Sequence, residues 1–519
     1  MKTYSLPTPS QPNRPWLWTL SAVLALAAAP PLTANDYVGS ATCVTACHRA
    51  NHVAHYNEVT NSIHAKMIRP NAHLPGVIHG DLRKTNAPVR PTSNDPTNDV
   101  HWVMGGWYKE ESYIRVNHPG DPFPFTVTQF EWNPITGTYA NNKSLRDWLT
   151  KCAGCHTTGY DPATRTFNEL NIGCESCHGP GGDHVANDGE KSFIVIDRTD
   201  EGCGQCHIRA ESVAMGSFTN REFNFPIGYV PGQPGTLQFI PEPLNATASF
   251  FSDGTSKRHR QQYLDVHYPG VRVTKHHAQG VSCVRCHNPH TAGTVTTYAD
   301  ALPTNTYGIK IYDNVNGTTN YAAWDGARLW HPTNHTPIAK QDLCKVCHNT
   351  VLDHHVHQFS AAALAANVTC TDCHMPDVIN VDPVTRRGAL APHTFSAMLP
   401  VTSIQYGTTN QPNSCTYRCH QAQGANATAR TAWADSIITH RVAPLVASSH
   451  PYQLRVVGTP NYQYALEASA DFTNWVRLTT NTAAPLPAYP LRWGFEYTDP
   501  TSDAAQYRFY RTKQVVPAP

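Results

Sequence analysis

The sequence predicts a mostly α-helical and irregular region over residues 35–440, followed by a small all-β sandwich over 441–519. Three observations carry this. The cysteines fall into one repeated pattern, the proline and glycine content leaves little room for long regular helices, and the chain changes character after His450.

Six stretches read Cys-x-x-Cys-His: Cys152/Cys155/His156, Cys174/Cys177/His178, Cys203/Cys206/His207, Cys283/Cys286/His287, Cys344/Cys347/His348 and Cys370/Cys373/His374. Two more carry one extra residue, Cys43/Cys47/His48 and Cys415/Cys419/His420. Numbered 1 to 8 in chain order, these motifs account for all 16 cysteines. In such a motif the two thiols bond covalently to porphyrin vinyl groups and the histidine becomes an axial ligand of the iron. A zinc site or a redox dithiol would also use paired cysteines, but neither needs a histidine directly after the second one. The pattern therefore points to eight covalently bound haem c groups, with iron held by His48, His156, His178, His207, His287, His348, His374 and His420.

With 41 prolines, 32 glycines and 15% charged residues, the region around the motifs is expected to draw its core from these cofactors. The first segment carries Lys2 and Arg14, an apolar run from Trp16 to Ala29, and small residues up to Ala34. That is the layout of a secretory signal over 1–34, and the apolar run is short for a bilayer span. Secretion and haem attachment agree, because c-type haem is attached outside the cytoplasm. A periplasmic or extracellular protein with no transmembrane segment in its mature chain is expected. Loss of Lys2 and Arg14 takes the formal charge from +1 to −1, and haem carboxylates add to the acidity, so a nucleic-acid-binding face is not expected.

Spacing along the chain is uneven. Motif 1 stands more than a hundred residues ahead of the tight trio of motifs 2, 3 and 4. Two cysteine-free stretches, Ala210–Gln261 and Thr291–Gln341, are rich in Pro, Gly, Asn and Thr and read as long loops or short hairpins. From Pro451 onward there is neither cysteine nor histidine. Period-2 runs around Tyr464 and Leu466, Phe495 and Tyr497, and Tyr507 and Phe509 predict short antiparallel strands, with Trp475 in their core. The run Leu466–Trp475 with Tyr507–Arg511 resembles fibronectin-type-III-like modules appended to secreted bacterial proteins.

Twenty-nine histidines leave a surplus beyond the eight in the motifs, enough for a second imidazole on every iron. Candidates for that second position are His64, His184, His290 and His393. One of His276 and His277, just ahead of motif 5, joins them, with His277 carried as the candidate. One of His354, His355 and His357 joins from before motif 7, with His355 carried as the candidate. His52, His55, His101, His118, His331 and His335 compete for the rest.

Cys152-Ala-Gly-Cys-His-Thr-Thr-Gly-Tyr160, followed by Gly173-Cys-Glu-Ser-Cys-His-Gly-Pro-Gly181 and His184, resembles the paired motifs of the cytochrome c554-type superfamily of multihaem cytochromes. Gly280–His290, Cys370–Pro376 and Pro412–Cys415 are similar to segments of the same group. The resemblance covers most of Val38–His420. It implies haems stacked in parallel and perpendicular pairs, with His184 and the histidine before motif 5 as distal ligands. The wide first gap, the two Cys-x-x-x-Cys-His motifs and the β-module depart from the pattern.

That superfamily holds both carriers and enzymes. The sequence has no Cys-x-x-Cys-Lys motif of the kind that marks ammonia-forming nitrite reductases, and it marks no tyrosine for a haem cross-link. The expectation is an octahaem electron-transfer protein. Its partners would be redox proteins or extracellular electron acceptors, with a homopolymeric filament as one form of assembly. The alternative is an octahaem oxidoreductase of the hydroxylamine oxidoreductase, nitrite reductase or tetrathionate reductase type, with one open iron.

Overall fold

A computed structural model describes residues 37–44, 53–89, 91–93, 95, 100–107, 110–134, 136–141, 144–291, 295–298, 308–324, 329–348, 368–381, 388–417, 419–440, 445–446, 452–457, 463–470, 474–486, 489–501 and 509–515. The expected signal segment 1–34, Cys47, His48, His52, His354, His355 and His357 lie outside them.

The interval between motifs 1 and 2 holds an antiparallel sheet of six strands. They are β1 (Ile68–Arg69), β2 (Trp102–Gly105), β3 (Glu111–Val116), β4 (Phe125–Asn133), β5 (Thr138–Asn141) and β6 (Arg146–Asp147). Strands β1 to β5 pair in sequence order and β6 pairs on β4. The register sets Trp102 opposite Ile114 and Val103 opposite Tyr113, so successive pairs face opposite sides. One side packs Ile68, Ile114 and Val127 against Trp148, Leu149 and Cys152, while the other collects Val103, Tyr113, Trp132 and Tyr139. The sheet thus joins motif 2 directly to an apolar core. Both faces are covered, which is why its strands lack the polar–apolar alternation of a half-exposed sheet.

Glu111 is fully buried on β3 and satisfied on all sides. It accepts from Arg69 Nη2 at 2.8 Å, from the backbone N–H of His79 at 2.9 Å and Gly80 at 3.2 Å, and from Tyr113 Oη at 2.7 Å.

The two cysteine-free stretches differ. Thr291–Gln341 contains three antiparallel strands, Val295–Tyr298, Gly308–Tyr312 and Thr319–Trp324, with the last in the middle. It docks on the loop between β1 and β2, where Tyr312 N–H donates to His79 O at 2.8 Å and Asn314 Nδ2 to Gly80 O at 2.9 Å. Ala210–Gln261 is mainly loop, closed by pairing of Ala210–Glu211 with Ile240–Pro241 and by a core that includes Leu237, Phe250 and Leu264.

Residues 427–440 form a helix of 14 residues. Among the described residues no helix is long and apolar enough to cross a membrane. Beyond it lie two antiparallel sheets. One runs Leu445–Val446, Gln453–Val457, Tyr489–Thr498, Ala484–Leu486, and the other Val476–Thr482, Gln463–Ser469, Phe509–Val515. They share a core of Leu454, Val456, Tyr464, Leu466 and Ala483. Trp475, expected in that core, is instead half-buried at its edge, with the Arg511 guanidinium 4.1 Å above its ring. Stacked on a cation, the indole covers the Arg511–Glu467 ion pair rather than filling the interior.

Candidate haem-binding centres

Motifs 2 to 7 are each built on a tight helical turn. Asp147 caps the turn ahead of motif 2, accepting from Leu149 N–H at 3.1 Å. Thr199 caps motif 4, and Thr369 with Asp372 forms a capping box at motif 7. In motifs 3, 4, 5 and 6 the histidine N–H donates to the first cysteine's carbonyl at 2.9–3.0 Å. Residues i, i+3 and i+4 then share one face, so two thiols and an imidazole point the same way.

Motif 8 departs from this geometry. Its extra residue is absorbed by a wider turn, in which His420 N–H reaches Cys415 O at 3.1 Å. The same turn carries Cys419 to the surface. Cys419 is exposed where Cys415 is partly buried. The reason is angular: one inserted residue rotates the second thiol by about 100° relative to a Cys-x-x-Cys turn. Cys419 still acts on its surroundings, raising the Cys415 thiol after burial and Cys373, and the Cys373 thiol after burial and Asp372. Cys347 of motif 6 is exposed as well, at the end of its helix.

The motifs touch through their cysteines. Motif 1 meets motif 3 because residues 37–44 dock on residues 157–181. Glu175, almost wholly buried, accepts from Val38 and Gly39 N–H at 2.9 and 2.7 Å, and Cys174 N–H donates to Ser40 Oγ at 2.9 Å. Cys43 lies beside Cys174, Cys155 beside Cys206 and Cys203 beside Cys283, and each neighbour, with burial, raises the thiols of Cys43, Cys206 and Cys283. Burial, then the neighbouring Cys203, push the Cys177 thiol up to about 12. Burial and then Cys344 and Cys347 raise Cys286 to about 11. Burial followed by Cys370 raises Cys344, and burial followed by Cys373 raises Cys415 to about 12. The order of contacts is therefore 1–3–4–5–6–7–8, with motif 2 joined at motif 4.

Four motif histidines face a second imidazole from elsewhere in the chain. His207 faces His64 with ring centres 6.1 Å apart, and His178 faces His290 at 6.4 Å. His287 faces His393 at 6.0 Å, and His348 faces His276 at 5.8 Å. Two imidazoles on opposite sides of one metal, each bonded at about 2 Å, have ring centres roughly 6 Å apart. The four pairs thus fit an iron between them. Burial first, then the facing ring, hold His64 down to about 4 and His393 to about 3. Burial and then His207 hold His287 to about 4. All three are neutral at ordinary pH, the form that binds metal.

The other ring nitrogen is fixed by backbone carbonyls. His178 Nδ1 is 2.8 Å from Val195 O, His184 Nδ1 2.9 Å from Glu190 O, His374 Nδ1 3.2 Å from Phe395 O, and His393 Nδ1 3.1 Å from Ala391 O. Such contacts set the tautomer and leave Nε2 for the metal. A cavity of about 420 Å³ opens beside motif 8, lined by Phe251, Val378, Thr416 and Tyr417 with Lys257 and Arg430. An apolar wall with two cations suits a porphyrin that carries two carboxylates.

The expected residues therefore separate. His64, His290 and His393 each stand opposite a motif histidine. His184 is held in a ligand-like orientation near motif 3. Of the two candidates before motif 5, His276 faces the motif 6 histidine, whereas His277 turns away. Adjacent residues in the turn Lys275–Ala278 point about 100° apart, so only one can look toward His348. The His277 Nδ1 lies 2.7 Å from Asp200 Oδ2, and its ring stacks on His267 at 4.8 Å. His331 and His335 occupy an exposed turn. His48, Cys47 and His355 lie outside the described residues.

His156 of motif 2 differs from the four. It is the described motif histidine whose Nδ1 is buried without a hydrogen-bond partner and whose ring meets no other imidazole among the described residues. Burial, then the Arg260 guanidinium, hold it down to about 4. Neither Arg260 nor Asp200 was marked by any motif. A carboxylate tied to both His277 and the Cys283 N–H shows itself only in three dimensions.

The sequence model of the family described as cytochrome c554 and c-prime matches residues 133–179, which hold motifs 2 and 3. Among solved structures, the outer cell wall cytochrome OcwA is 23% identical, with a TM-score of 0.50 over 78% of this chain and 86% of its own. The undecaheme cytochrome from the S-layer of Carboxydothermus ferrireducens is 17% identical with a TM-score of 0.37, over 79% of this chain and 61% of its own. No curated protein sequence matches. The family-model match supports a c-type cytochrome signature at motifs 2 and 3. The likeness to OcwA is one of fold.

Proposed function

We propose that this chain is a secreted octahaem c-type cytochrome that conducts electrons between redox partners outside the cytoplasm, through irons ligated mainly by two histidines each. The observation that carries this reading is the set of four imidazole pairs at 5.8–6.4 Å, each joining a motif to a distant part of the chain. Bound haem supplies one-electron redox chemistry. The chain contributes neutral, pre-aimed imidazoles, thioether-forming cysteines on its helical turns, and apolar cores that keep water away. By holding neighbouring motifs in side-chain contact, it also places every described site beside at least one other. A secretory N-terminus is the support for a location outside the cytoplasm, and the name of the outer cell wall cytochrome accords with it.

A second reading has one specific observation behind it. His156 has no imidazole opposite it among the described residues, so the iron of motif 2 is the candidate for an open position in a redox enzyme.

Intact mass of the purified protein tests the first reading. The signal-processed chain plus eight haems is expected. A mass lacking several of them would overturn the octahaem assignment.

A further inference from the structure

One buried carboxylate ties together segments that serve three motifs. Asp265 is fully buried on the turn Gln262–Val266, which is anchored at motif 4 because Tyr263 N–H donates to His207 O at 3.0 Å. Its Oδ1 accepts from Ser256 N–H at 3.1 Å and from Ser256 Oγ at 2.8 Å, with Arg272 Nη1 3.6 Å away. Its Oδ2 accepts from the backbone N–H of His393 at 2.9 Å, across 128 positions of sequence. His393 lies between the strand Gly388–Leu390 and the helix Pro400–Tyr406, in a stretch with neither helix nor strand. No backbone ladder holds it there, so the side-chain tether does.

The tethered turn 391–395 reaches three sites. His393 faces His287 of motif 5 with ring centres 6.0 Å apart. Phe395 packs its ring 4.3 Å from His276, the imidazole that faces His348 of motif 6, and lies 5.9 Å from His393. The Phe395 carbonyl stands 3.2 Å from His374 Nδ1 of motif 7. Phe395 does this in a left-handed backbone, φ 55°, which a bulky residue takes only where its surroundings hold it there. In that conformation its carbonyl meets one site and its ring another.

We propose that Asp265 is a positioning residue, holding the turn 391–395 as one shared support that sets the axial imidazoles of motifs 5, 6 and 7 together. The inference rests on the haem reading of the motifs. Metal ligands keep their orientation through such outer contacts. Removing the Asp265 carboxylate leaves the His393 N–H without its acceptor and frees the turn at its centre. The disturbance then reaches motif 5 through His393, motif 6 through Phe395 and His276, and motif 7 through the Phe395 carbonyl.

Quantitative low-temperature EPR of the full, haem-loaded protein tests this with Asp265→Ala, Phe395→Leu and Ser256→Ala, alongside the intact mass of each. With Asp265→Ala, one equivalent of high-spin ferric iron should appear. The strongly anisotropic low-spin signal of the near-perpendicular pair His276 and His348 should also shift. Phe395→Leu keeps the tether and loses the ring on His276, so that signal should shift with no high-spin iron. Ser256→Ala removes one donor from the same carboxylate and leaves His393 held, so neither change should follow. Eight haems with an unchanged spectrum in Asp265→Ala, or equal changes in Ser256→Ala, would overturn the inference while leaving the haem reading intact. If Asp265→Ala loses haem, Phe395→Leu decides. Eight haems there with an unmoved anisotropic signal would overturn the shared support, and a shifted signal with Ser256→Ala silent would uphold it.

Discussion

The imidazoles of His178 and His290 lie parallel, with planes 7° apart and ring centres separated by 6.4 Å. His290 follows motif 5 by three residues, yet it faces the histidine of motif 3. The chain therefore brings facing imidazoles together from distant segments rather than completing each motif locally. Replacing His290 with Ala should open one face of the motif 3 iron while Cys174 and Cys177 keep the porphyrin attached. Intact mass should be unchanged, and a high-spin ferric signal equivalent to one iron should appear in the EPR spectrum.

The neighbours His276 and His277 give a sharper contrast. His276→Ala should convert one low-spin iron to high-spin, because it removes the ring facing His348. His277→Ala should leave the spin-state count unchanged. Its measurable effect should be loss of the contact with Asp200, with a stability change of about 1.5–3 kcal/mol if the bond is charge-assisted. Equal spin-state effects from the two substitutions would contradict the assignment.

Docking of the N-terminal segment depends on Glu175, which accepts from Val38, Gly39 and Gly181 N–H. Glu175→Ala leaves three backbone donors without their acceptor, each costing about 1–3 kcal/mol where it stays buried. Hydrogen exchange should accelerate over residues 38–42 well before it does in the six-stranded sheet. Contact between motifs 1 and 3 should weaken with it.

Glu111 predicts a pH dependence of stability. Burial raises its pKa above the ordinary 4.5, against the opposing pull of Arg69. A carboxyl raised in the folded state contributes stability that is present below the unfolded value and lost as pH rises through the folded one. Denaturant unfolding should therefore show a decline in this contribution as pH is raised from about 4.5. Glu111→Gln should flatten that slope and cost about 1–3 kcal/mol through the mispaired network.

Much of the candidate site was legible in the sequence because haem attachment demands a local pattern. Every cysteine falls into a motif by spacing alone, although spacing did not reveal that Cys419 would stand exposed while Cys415 is partly buried. His64, His290 and His393 were legible as candidates, but not which motif histidine each would face, since that depends on contacts between residues far apart in the chain. The six-stranded sheet was hidden for a related reason. Strand β3 is buried from Glu111 to Ile114 and carries a bulge between Ser112 and Ile114, so its pattern has no clean period of two. Arg260 sits in the run Lys257-Arg-His-Arg260, which reads as a solvated basic patch.

Quantitative low-temperature EPR of the fully oxidised protein, before and after nitrite is added, tests the central claim most directly. The account predicts a spectrum dominated by low-spin bis-imidazole iron. It should contain both the rhombic form expected of near-parallel rings, as at His178 and His290, and the strongly anisotropic form expected of near-perpendicular rings, as at His276 and His348, whose planes differ by 72°. At most one iron, that of motif 2, should respond to nitrite. A spectrum in which most of the iron is high-spin, or in which nitrite alters several sites, would contradict it.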